Sequence, residues 1–347
     1  MDATHTVVPL TQAHARLEAL NDLANNTEST AVPKPGKVNW INVIVLTSTP
    51  LIAAVSLTLY VFHWGFSWGD FLNFAVMYVL CGMAITGGYH RYYAHRSYRC
   101  SAWVEVFYLA FGAAALQNSV LFWASDHRFH HRHVDKVHDP YNIRKGFWWA
   151  HIFWIFFEDA AGTRNFNNVP DLRKNRLVVL QDKLYVPLAI LVGLGIPFLI
   201  GLAFGRPGGG LIWGGVLRLV FGHHCTFLIN SAAHFFGKQP YSKANSARDS
   251  GWLAFFSYGE GYHNFHHTFP GDYRNGIAWY HWDPTKWMIQ GFHRLGLASG
   301  LHRTSQMIID SAKAREAGYF PEKSSMKEKM TEALTSSANA FERKPLT

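Results

Sequence analysis

The sequence predicts an all-α integral membrane protein, with four transmembrane helices in two hairpins and a helical cap on the cytoplasmic side that carries a histidine-rich metal site. Three observations lead to this fold class. Four long apolar runs interrupt a chain of 347 residues. Lysine and arginine are scarce in the turns inside each hairpin, and many of the histidines gather in three clusters.

The apolar runs are long enough to cross a bilayer, which takes about 20 residues of helix. They cover residues 40–62, 71–89, 184–204 and 211–230. The first three contain no charged residue, whereas the fourth contains Arg218, His223 and His224. Buried helices of a large soluble protein are the alternative, and four such runs in one chain argue against it.

The spans pair into two hairpins with short turns. HWGFSWGD joins the first two spans and GRPGGG joins the last two, and Arg206 is the only lysine or arginine in these turns. Since cytoplasmic segments are enriched in lysine and arginine, we expect both termini and residues 90–183 to be cytoplasmic. The net charge of +9 then suits anionic headgroups of the inner leaflet, and no nucleic-acid recognition motif is present.

The runs also divide the chain into three parts. Residues 1–38 form a polar N-terminal arm, residues 39–304 the main domain, and residues 305–347 a tail. Both flanks carry scattered charge and weak periodicity, and we expect them in the cytoplasm.

Two further apolar segments are not expected to cross. Residues 101–123 contain Glu105, Gln117 and Asn118, which make a poor lipid-facing helix. A crossing there would also separate two histidine clusters, so we expect this segment to lie along the interface or to dip in and out. Residues 147–157 are too short to span and are rich in tryptophan and phenylalanine, which predicts a second interfacial helix.

The histidine clusters all fall on one face of the membrane in this topology. They are His90 and His95 in HRYYAH, His127, His130 and His131 in DHRFHH, and His263, His266 and His267 in GEGYHNFHHTFP. On a helix, positions i, i+3 and i+4 lie within about 100° of arc, so each H-x-x-H-H run can direct three imidazoles at one point. The pair in HRYYAH is five residues apart and does not share a helical face, which suggests that the helix ends there.

Eight clustered histidines exceed the ligands that one transition metal accepts, so they predict two ions. Imidazole suits zinc, copper, iron and nickel. Structural zinc usually takes thiolate, and bundle-type di-iron proteins use carboxylates. The pattern therefore predicts an all-nitrogen dinuclear site at a membrane surface, with a substrate dissolved in lipid. The other histidines are expected to be ordinary polar residues.

HRYYAH, DHRFHH and GEGYHNFHHTFP, in this order among four spans, resemble the membrane fatty-acid desaturases of the acyl-CoA delta-9 (stearoyl-CoA) type over about residues 40–300. The resemblance extends to NSAAH, where the family has a further ligand histidine, His234, and an asparagine, Asn230, that holds metal-bound water. It implies a di-iron centre that uses O2 to remove two hydrogens from a saturated C16 or C18 acyl chain, giving a cis delta-9 double bond and two waters.

The resemblance also implies partners. Two electrons per turnover come from outside, and the chain shows neither a dinucleotide fingerprint nor a cysteine array for an iron–sulfur cluster. A separate cytochrome b5 or ferredoxin, with its reductase, is therefore expected to dock on the cytoplasmic face. The membrane would be the endoplasmic reticulum in a eukaryote or the inner membrane in a bacterium.

Carboxylates beside the clusters are candidates to orient the ring N–H groups of the ligands. Asp126 and Glu260 are each close to a cluster. Ordinary surface salt bridging is the alternative role for both.

The headgroup segments depart from the animal enzymes. Asn118 in LQNSV keeps the family pattern and is a candidate substrate contact. Where those enzymes have Arg-Asp at the headgroup, this chain has Ser125-Asp126, so Asp126 is also a candidate substrate contact. Glu158-Asp159 stands where they have a basic pair. Carboxylates beside phosphates are unfavourable, so an acyl-lipid or acyl-carrier-protein substrate is the alternative to acyl-CoA.

An acyl tail would lie in a closed apolar tunnel. Tyr78 and Gly82 lie four residues apart on one face of the second span, before His90. In the functional interpretation Tyr78 closes the tunnel and Gly82 leaves room for an eighteen-carbon chain, so Gly82→Ile would shift preference towards palmitoyl. A membrane-interface anchor and a helix-packing glycine are the alternative roles.

Two other functions use similar features. A di-iron hydroxylase of the alkane or sterol type has related clusters but inserts oxygen. A metal transporter or sensor would place polar residues inside several spans, whereas only the fourth span contains charged or histidine residues.

Overall fold

The computed structural model describes residues 36–158 and 166–319. Nearly all of the predicted N-terminal arm, the last 28 residues of the predicted tail and Asp159 lie outside the described residues. In chain order the helices are α1 (Trp40–Trp64), α2 (Trp68–Ala94), α3 (Ala102–Ala114), α4 (Val120–His133), α5 (Phe147–His151), α6 (Pro170–Lys174), α7 (Arg176–Lys183), α8 (Tyr185–Ala203), α9 (Pro207–His234), α10 (Gly251–Phe256), α11 (His263–Thr268), α12 (Pro284–Arg294) and α13 (Gln306–Glu316). Strands β1 (Arg99–Cys100) and β2 (Ala298–Ser299) pair antiparallel.

The predicted spans are confirmed as α1, α2, α8 and α9, the four helices within residues 36–158 and 166–319 that are long and apolar enough to cross a membrane. Helix α1 begins where the Asn39 side chain accepts a hydrogen bond from the backbone N–H of Asn42. It ends at Gly65, whose φ of 68° breaks the helix. Helices α2 and α9 run four or five residues past the predicted ends at 89 and 230, which carries both into the cap.

The two hairpins are joined at the turn side by an ion pair between a half-buried arginine and a buried aspartate. Arg206, from the turn between α8 and α9, donates from Nε to Asp70 on α2 at 2.8 Å. Its terminal nitrogens also bond the carbonyls of Trp64 and Gly65 at the end of α1. The one basic residue of the turns therefore ties all the spanning helices together.

Three of the spans contain π-helical segments, in which the backbone bonds run from i+5 to i and the helix widens. The segments are Ala84–Ala94 in α2, Leu191–Gly195 in α8 and Gly210–Leu217 in α9. The segment in α2 is the longest and carries the first histidine cluster. The hydrophobic pattern of the sequence does not distinguish it from an ordinary α-helix.

Segment 101–123 does not span, as expected, and forms the descending helix α3, a turn and the start of α4. The Arg218 guanidinium, a third of the way along α9, donates to the carbonyls of Ala114 at 2.8 Å and Gly193 at 2.9 Å. Because Gly193 lies eight residues inside α8, the end of α3 lies at membrane depth. His223 bonds the carbonyls of Ala115 and Leu116 in the turn. The segment therefore dips into the membrane domain and returns to the cap. The backbone carbonyls at the end of α3 and in the turn accept hydrogen bonds from Arg218 and His223 of α9.

Segment 147–157 differs from the single interfacial helix that we expected. It forms the short helix α5 and a separate 3-10 turn at Phe153–Phe156. The carbonyl of Ile155 accepts from the Asn42 amide at 2.9 Å, and the carbonyl of Phe156 accepts from the Asn39 backbone at 2.8 Å. Pairing with the start of α1 interrupts the helix.

Ordered structure continues past the predicted domain end at 304. Helix α13 packs Ile309, which is 1% exposed, into a cluster with Tyr241 and Phe265. Phe265 belongs to α11, so this first part of the tail supports a helix that carries histidines.

Candidate metal centre

The structure brings together all nine histidines proposed as ligands, in two compact groups whose ligand atoms lie within 4.8 Å of one another. The first metal group is His90, His95, His127, His131 and His266. The second metal group is His130, His234, His263 and His267. The topology that placed all the clusters on one side is therefore confirmed by their convergence.

The prediction that His90 and His95 do not share a helical face was wrong. Their ring centroids lie 4.7 Å apart, in one group. The backbone N–H of His95 donates to the carbonyl of His90 at 3.0 Å, a bond between residues five apart. In the π-helical segment of α2, residues five apart therefore lie above one another. The helix does end here, at Ala94, and His95 is its C-cap residue, as expected.

The prediction that each H-x-x-H-H run points at a single position was also wrong. On α4, His127 and His131 join the first metal group and His130 joins the second. On α11 the division is reversed, with His266 in the first group and His263 and His267 in the second. The i and i+4 positions share a face, and the i+3 position is rotated far enough to reach the neighbouring group.

The residues implied by NSAAH lie at the end of α9. His234 contributes Nε2 to the second metal group, 3.1 Å from Nε2 of His263. Asn230, one helical turn earlier, lines a cavity together with His90, His127 and His263. Both residues are thus placed where the resemblance requires, and the role of Asn230 in holding water stays a prediction.

Acidic and hydroxyl groups face the Nδ1 atoms of three ligands. Nδ1 of His90 lies 2.8 Å from Glu260, which was expected, and Nδ1 of His130 lies 2.8 Å from Asp139, which was not. Nδ1 of His234 lies 2.7 Å from the Ser246 hydroxyl, which donates to Asp135. Such partners fix the ring orientation and the tautomer of metal ligands.

Sequence reasoning missed Asp139, Ser246 and Asp135 because it sought carboxylates beside the clusters. Asp139 follows His130 by nine residues, in a loop, and Ser246 lies twelve residues from His234. The weak signal is VDKVHDP, where two aspartates follow the second cluster. Asp126 is half-buried on α4 beside His127. Burial raises the pKa of the Tyr141 phenol, and the charges of Asp139 and then Asp126 raise it further. The proposed roles of Asp126 stay predictions.

Glu260 is itself held by a buried arginine. Arg91, which is 1% exposed, donates from Nη2 to Glu260 at 2.9 Å and from Nη1 to the carbonyl of Tyr273. Asp283 lies 3.0 Å from the same guanidinium. Burial alone would raise the pKa of Glu260, but His90 and Arg91 outweigh it and hold the value at about 2. Glu260 is therefore a fixed carboxylate.

Several of the ligand imidazoles are held neutral by burial. Burial lowers the pKa of His263 to about 3. It also lowers, well below the usual value, the pKa of His127, His131, His266 and His267, and neighbouring imidazoles lower these values further. A neutral imidazole keeps a lone pair free for a metal.

The donor set fits two metal ions. Nε2 of His90 lies 3.0 Å from Nε2 of His266, and Nε2 of His95 lies 2.8 Å from Nε2 of His127. Where a carboxylate accepts from Nδ1, the proton is there and Nε2 carries a lone pair. Lone pairs that converge at such distances need a cation between them, and all-imidazole sites suit a transition metal.

An apolar path leads from the metal groups into the membrane domain. The cavity beside His90 and Asn230 shares Ile85, Thr86, Thr226 and Ile229 with a second cavity. Tyr78 and Gly82 line that second cavity, and their assignment to a tunnel end stays a prediction. Asn118 is exposed, and its backbone N–H donates to the Tyr185 hydroxyl at 2.9 Å.

The expectation that Gly82 leaves room for an acyl chain needs correction. A Cβ at Gly82 would lie 2.1 Å from the ring of Tyr258. Tyr258 donates to the carbonyl of Tyr78 at 2.8 Å, and the Tyr78 hydroxyl donates to the carbonyl of Phe256 at 2.6 Å. The space beside Gly82 therefore holds a tyrosine ring.

Four spanning helices and two groups of converging imidazoles define a membrane protein with two candidate metal positions. The family model for fatty acid desaturases matches residues 66–297. The chain belongs to the fatty acid desaturase family.

Relatives within the family differ in the substrates their names give. A probable acyl-CoA desaturase of Schizosaccharomyces pombe is 40% identical over 76% of this chain and 55% of its own length. Acyl-CoA desaturase 1 of Saccharomyces cerevisiae is 37% identical over 79% of this chain and 54% of its own length. An sn-2 palmitoyl-lipid 9-desaturase of Nostoc is 35% identical over 76% of this chain and 90% of its own length. The chain spans about half the length of the two yeast relatives.

Proposed function

We propose that this protein is an O2-dependent desaturase that introduces a cis delta-9 double bond into a saturated C16 or C18 acyl chain, as acyl-CoA. The observation that carries the proposal is the pair of imidazole groups at the head of an apolar cavity. The names of the yeast and cyanobacterial relatives support the acyl substrate, and "9-desaturase" in the latter supports the position.

The metal groups would each hold one iron, and with O2 the pair supplies an oxidant strong enough to break an unactivated C–H bond. The protein contributes position and surroundings. Glu260, Asp139 and Ser246 orient ligand rings through Nδ1. The apolar cavity holds the chain and limits access of water to the reacting carbons.

The acyl carrier is proposed from the relatives with the higher identity, both acyl-CoA desaturases. Asp126 and Asn118 are the proposed headgroup contacts. Glu158 stands where the animal enzymes have a basic residue. The headgroup is therefore expected to be contacted differently from the headgroup in those enzymes. The Nostoc relative keeps an acyl lipid as the second candidate, because it matches over nearly its whole length.

We further propose that electrons come from a separate cytochrome b5 or ferredoxin with its reductase. The cap and both termini would face the cytoplasm, as the distribution of lysine and arginine indicates. The membrane would be the endoplasmic reticulum of a eukaryote or the inner membrane of a bacterium.

The test is lipid analysis of a host that lacks its own delta-9 desaturase and expresses this chain. We expect C16 and C18 monoenes, with the double bond located at carbon nine by mass spectrometry of derivatised acyl chains. A His130→Ala variant is the matched control for endogenous activity. Hydroxylated chains would indicate a hydroxylase, and unchanged lipids with altered metal uptake would indicate a transporter.

The acyl carrier is identified by an activity assay with purified, iron-loaded protein and labelled substrates. Stearoyl-CoA, stearoyl carrier protein and a stearoyl phospholipid are offered separately with a chemical reductant. Conversion of stearoyl-CoA within minutes, and of the phospholipid only after a thioesterase and acyl-CoA synthetase are added, is the expected result. Direct conversion of the phospholipid would contradict the acyl-CoA proposal.

A further inference from the structure

A second concave site lies on the cap, outside the metal centre. This groove has a volume of about 570 Å³. Its lining includes Tyr92, Arg96, Arg99, Asp171 and His302. We refer to it as the arginine groove.

The arginine groove is positively charged. Its one lining carboxylate, Asp171, is already held by Arg128, whose two terminal nitrogens bond its two oxygens at 2.7 and 2.8 Å. The Arg96 side chain is 71% exposed and reaches Asp171 only at 3.8 Å. Arg99 is exposed as well. Two guanidinium groups therefore face solvent. The nearby carboxylate of Glu105 lies behind the lining and accepts hydrogen bonds from Tyr92, Tyr93 and Asn175.

Further cations surround the groove. Leu172 and Asn175 form part of its wall, and between and beside them α6 and α7 carry exposed basic residues. These are Arg173, Lys174 and Arg176. Clustered charge of one sign on a concave surface concentrates the field and attracts an oppositely charged partner.

The groove adjoins the first metal group through one segment of chain. Arg96 follows His95 directly, and its backbone N–H donates to the carbonyl of Tyr92, which lines the groove. His95 and His131 are half-buried, whereas His90, His127 and His266 of the same group are buried. A partner in the groove therefore lies one residue along the chain from a half-buried ligand.

We propose that the arginine groove is the docking surface for an acidic one-electron carrier protein, which delivers electrons through His95. The proposal rests on the proposed function. There, R–CH2–CH2–R, O2, two electrons and two protons give R–CH=CH–R and two waters, so two carrier molecules are each oxidised by one electron per turnover. The groove lies on the Arg128 face of α4, whereas Asp126, the proposed headgroup contact, lies on another face.

The first experiment measures binding, not turnover. Iron-loaded protein in detergent is titrated with the soluble haem domain of a cytochrome b5 and, separately, with a [2Fe–2S] ferredoxin, at several salt concentrations. We expect Arg96→Glu/Arg99→Glu to weaken binding of the carrier by about tenfold or more and to flatten its salt dependence. Arg294→Glu/Arg315→Glu is the control, because both residues are exposed on the cap and neither lines the groove.

Equal weakening in both double variants would overturn the groove as the docking site. The docking proposal would also be overturned if Arg96→Glu/Arg99→Glu bound the carrier normally but no longer bound vesicles that contain anionic lipid. That result would assign the groove to contact with the membrane. Zero-length crosslinking of the wild-type protein to the carrier needs no variant. It is expected to capture Lys174, and capture of Lys238 or Lys243 alone would place the carrier elsewhere.

Turnover then separates the docking surface from the proposed function. With dithionite as reductant, the groove variant should form alkene within twofold of wild type. With the carrier as reductant, its kcat/KM should fall by the same factor as binding. A wild-type protein that binds the carrier through the groove but forms no alkene with either reductant would contradict the proposed function and leave the docking surface standing.

Discussion

At the scale of residues, the chemistry depends on which nitrogen of each imidazole is free. Nδ1 of His130 forms a hydrogen bond with Asp139, so its Nε2 atom is available to a metal. Nδ1 of His90 lies 2.8 Å from Glu260. Glu260 stays ionised because His90 and Arg91 lower its pKa to about 2 in spite of burial. The hydrogen bond to Asp139 thus sets the tautomer of His130 before any ion binds.

The purified protein should contain about two iron ions, one for each imidazole group. His130→Ala, His234→Ala and His266→Ala should each abolish desaturation and lower the iron content, because each removes a proposed ligand, while the protein still inserts into the membrane. Iron is measured by mass spectrometry and insertion by resistance to carbonate extraction. His63→Ala is the control, since His63 is exposed at the end of α1. Near-normal turnover in two of the ligand variants would refute the ligand assignment.

Ser246 is predicted to tune the second metal group. Ser246→Ala removes the hydroxyl between Asp135 and His234, so the imidazole loses its orienting partner. Loss of such a partner typically weakens metal binding by about 10- to 100-fold. Competition with a chelator measures the affinity, and Ser246→Thr should restore most of it. An unchanged affinity in Ser246→Ala would show that His234 needs no partner.

The ligand residues themselves were predictable from the sequence because they are short, local patterns. Glu260 was predictable for the same reason, as it stands three residues before His263. Asp139 and Ser246 were not, because they reach the ligands through loops, and chain separation says nothing of loop conformation. The division of His130 from His127 and His131 depends on how α2, α4, α9 and α11 converge, which is tertiary structure.

At the scale of elements, membrane helices have to satisfy their own backbone groups. Helix α3 ends inside the membrane domain, and the guanidinium of Arg218 replaces the missing partners of Ala114, Gly193 and Gly214. The charge also lies favourably at the C-terminal end of α3. In the sequence Arg218 is a charged residue that interrupts the fourth apolar run. In the structure it satisfies backbone carbonyls inside the membrane domain.

Arg218→Met should therefore destabilise the protein without touching the metal centre. Three buried carbonyls would lose a charged donor, and each unsatisfied group costs about 1–3 kcal/mol, so we expect a loss of about 3 kcal/mol or more. Thermal unfolding in detergent, followed by circular dichroism, measures the change. Arg294→Met, on an exposed position of α12, should leave Tm unchanged. Equal stability of both variants would mean that water or lipid satisfies these carbonyls.

The tunnel-length prediction moves from Gly82 to Gly222. Gly82→Ile would collide with Tyr258 and is expected to unfold the cap. Gly222 on α9 lines the same cavity, and a Cβ there meets no atom within 4 Å. Gly222→Leu should fill the cavity and lower the ratio of C18 to C16 products, with the bond still at carbon nine. Gly251→Leu, equally open but outside the cavity, is the control. An unchanged ratio in an active variant would place the tunnel end elsewhere.

The number of spans and their approximate ends were predictable because apolar length is a direct consequence of bilayer thickness. The π-helical segments were not, since an inserted residue changes backbone bonding and not hydrophobicity. That one difference explains the mistaken separation of His90 from His95. It also explains why α2 reaches farther into the cap than the apolar run suggests.

At the scale of the whole molecule, two helical hairpins are connected to a cap. The helices of the cap come from segments that are far apart in the sequence. Arg206 fixes the hairpins to each other at the turn side through Asp70. On the cap side, β1 pairs with β2, and α13 packs against α11. These contacts hold together the segments that carry the histidines.

The orientation of the whole molecule is predicted to place the cap in the cytoplasm. A fluorescent reporter fused after Thr347 and single cysteines at Lys136 and Lys238 should report the cytoplasmic side, whereas a cysteine at Gly208, between α8 and α9, should be labelled from outside. Lysine and arginine distribution is the physical reason. External labelling of the cap positions in intact cells would contradict the orientation.

The division of each H-x-x-H-H motif between the two groups has a consequence for how the protein matures. Both groups include residues of α11, which is made late in synthesis, after the last spanning helix. Neither position can therefore be completed while the ribosome is still producing the membrane domain, and iron captured by the earlier histidines stays incompletely coordinated. The centre is assembled as one unit, so a chain truncated before His263 loses ligands from both positions at once.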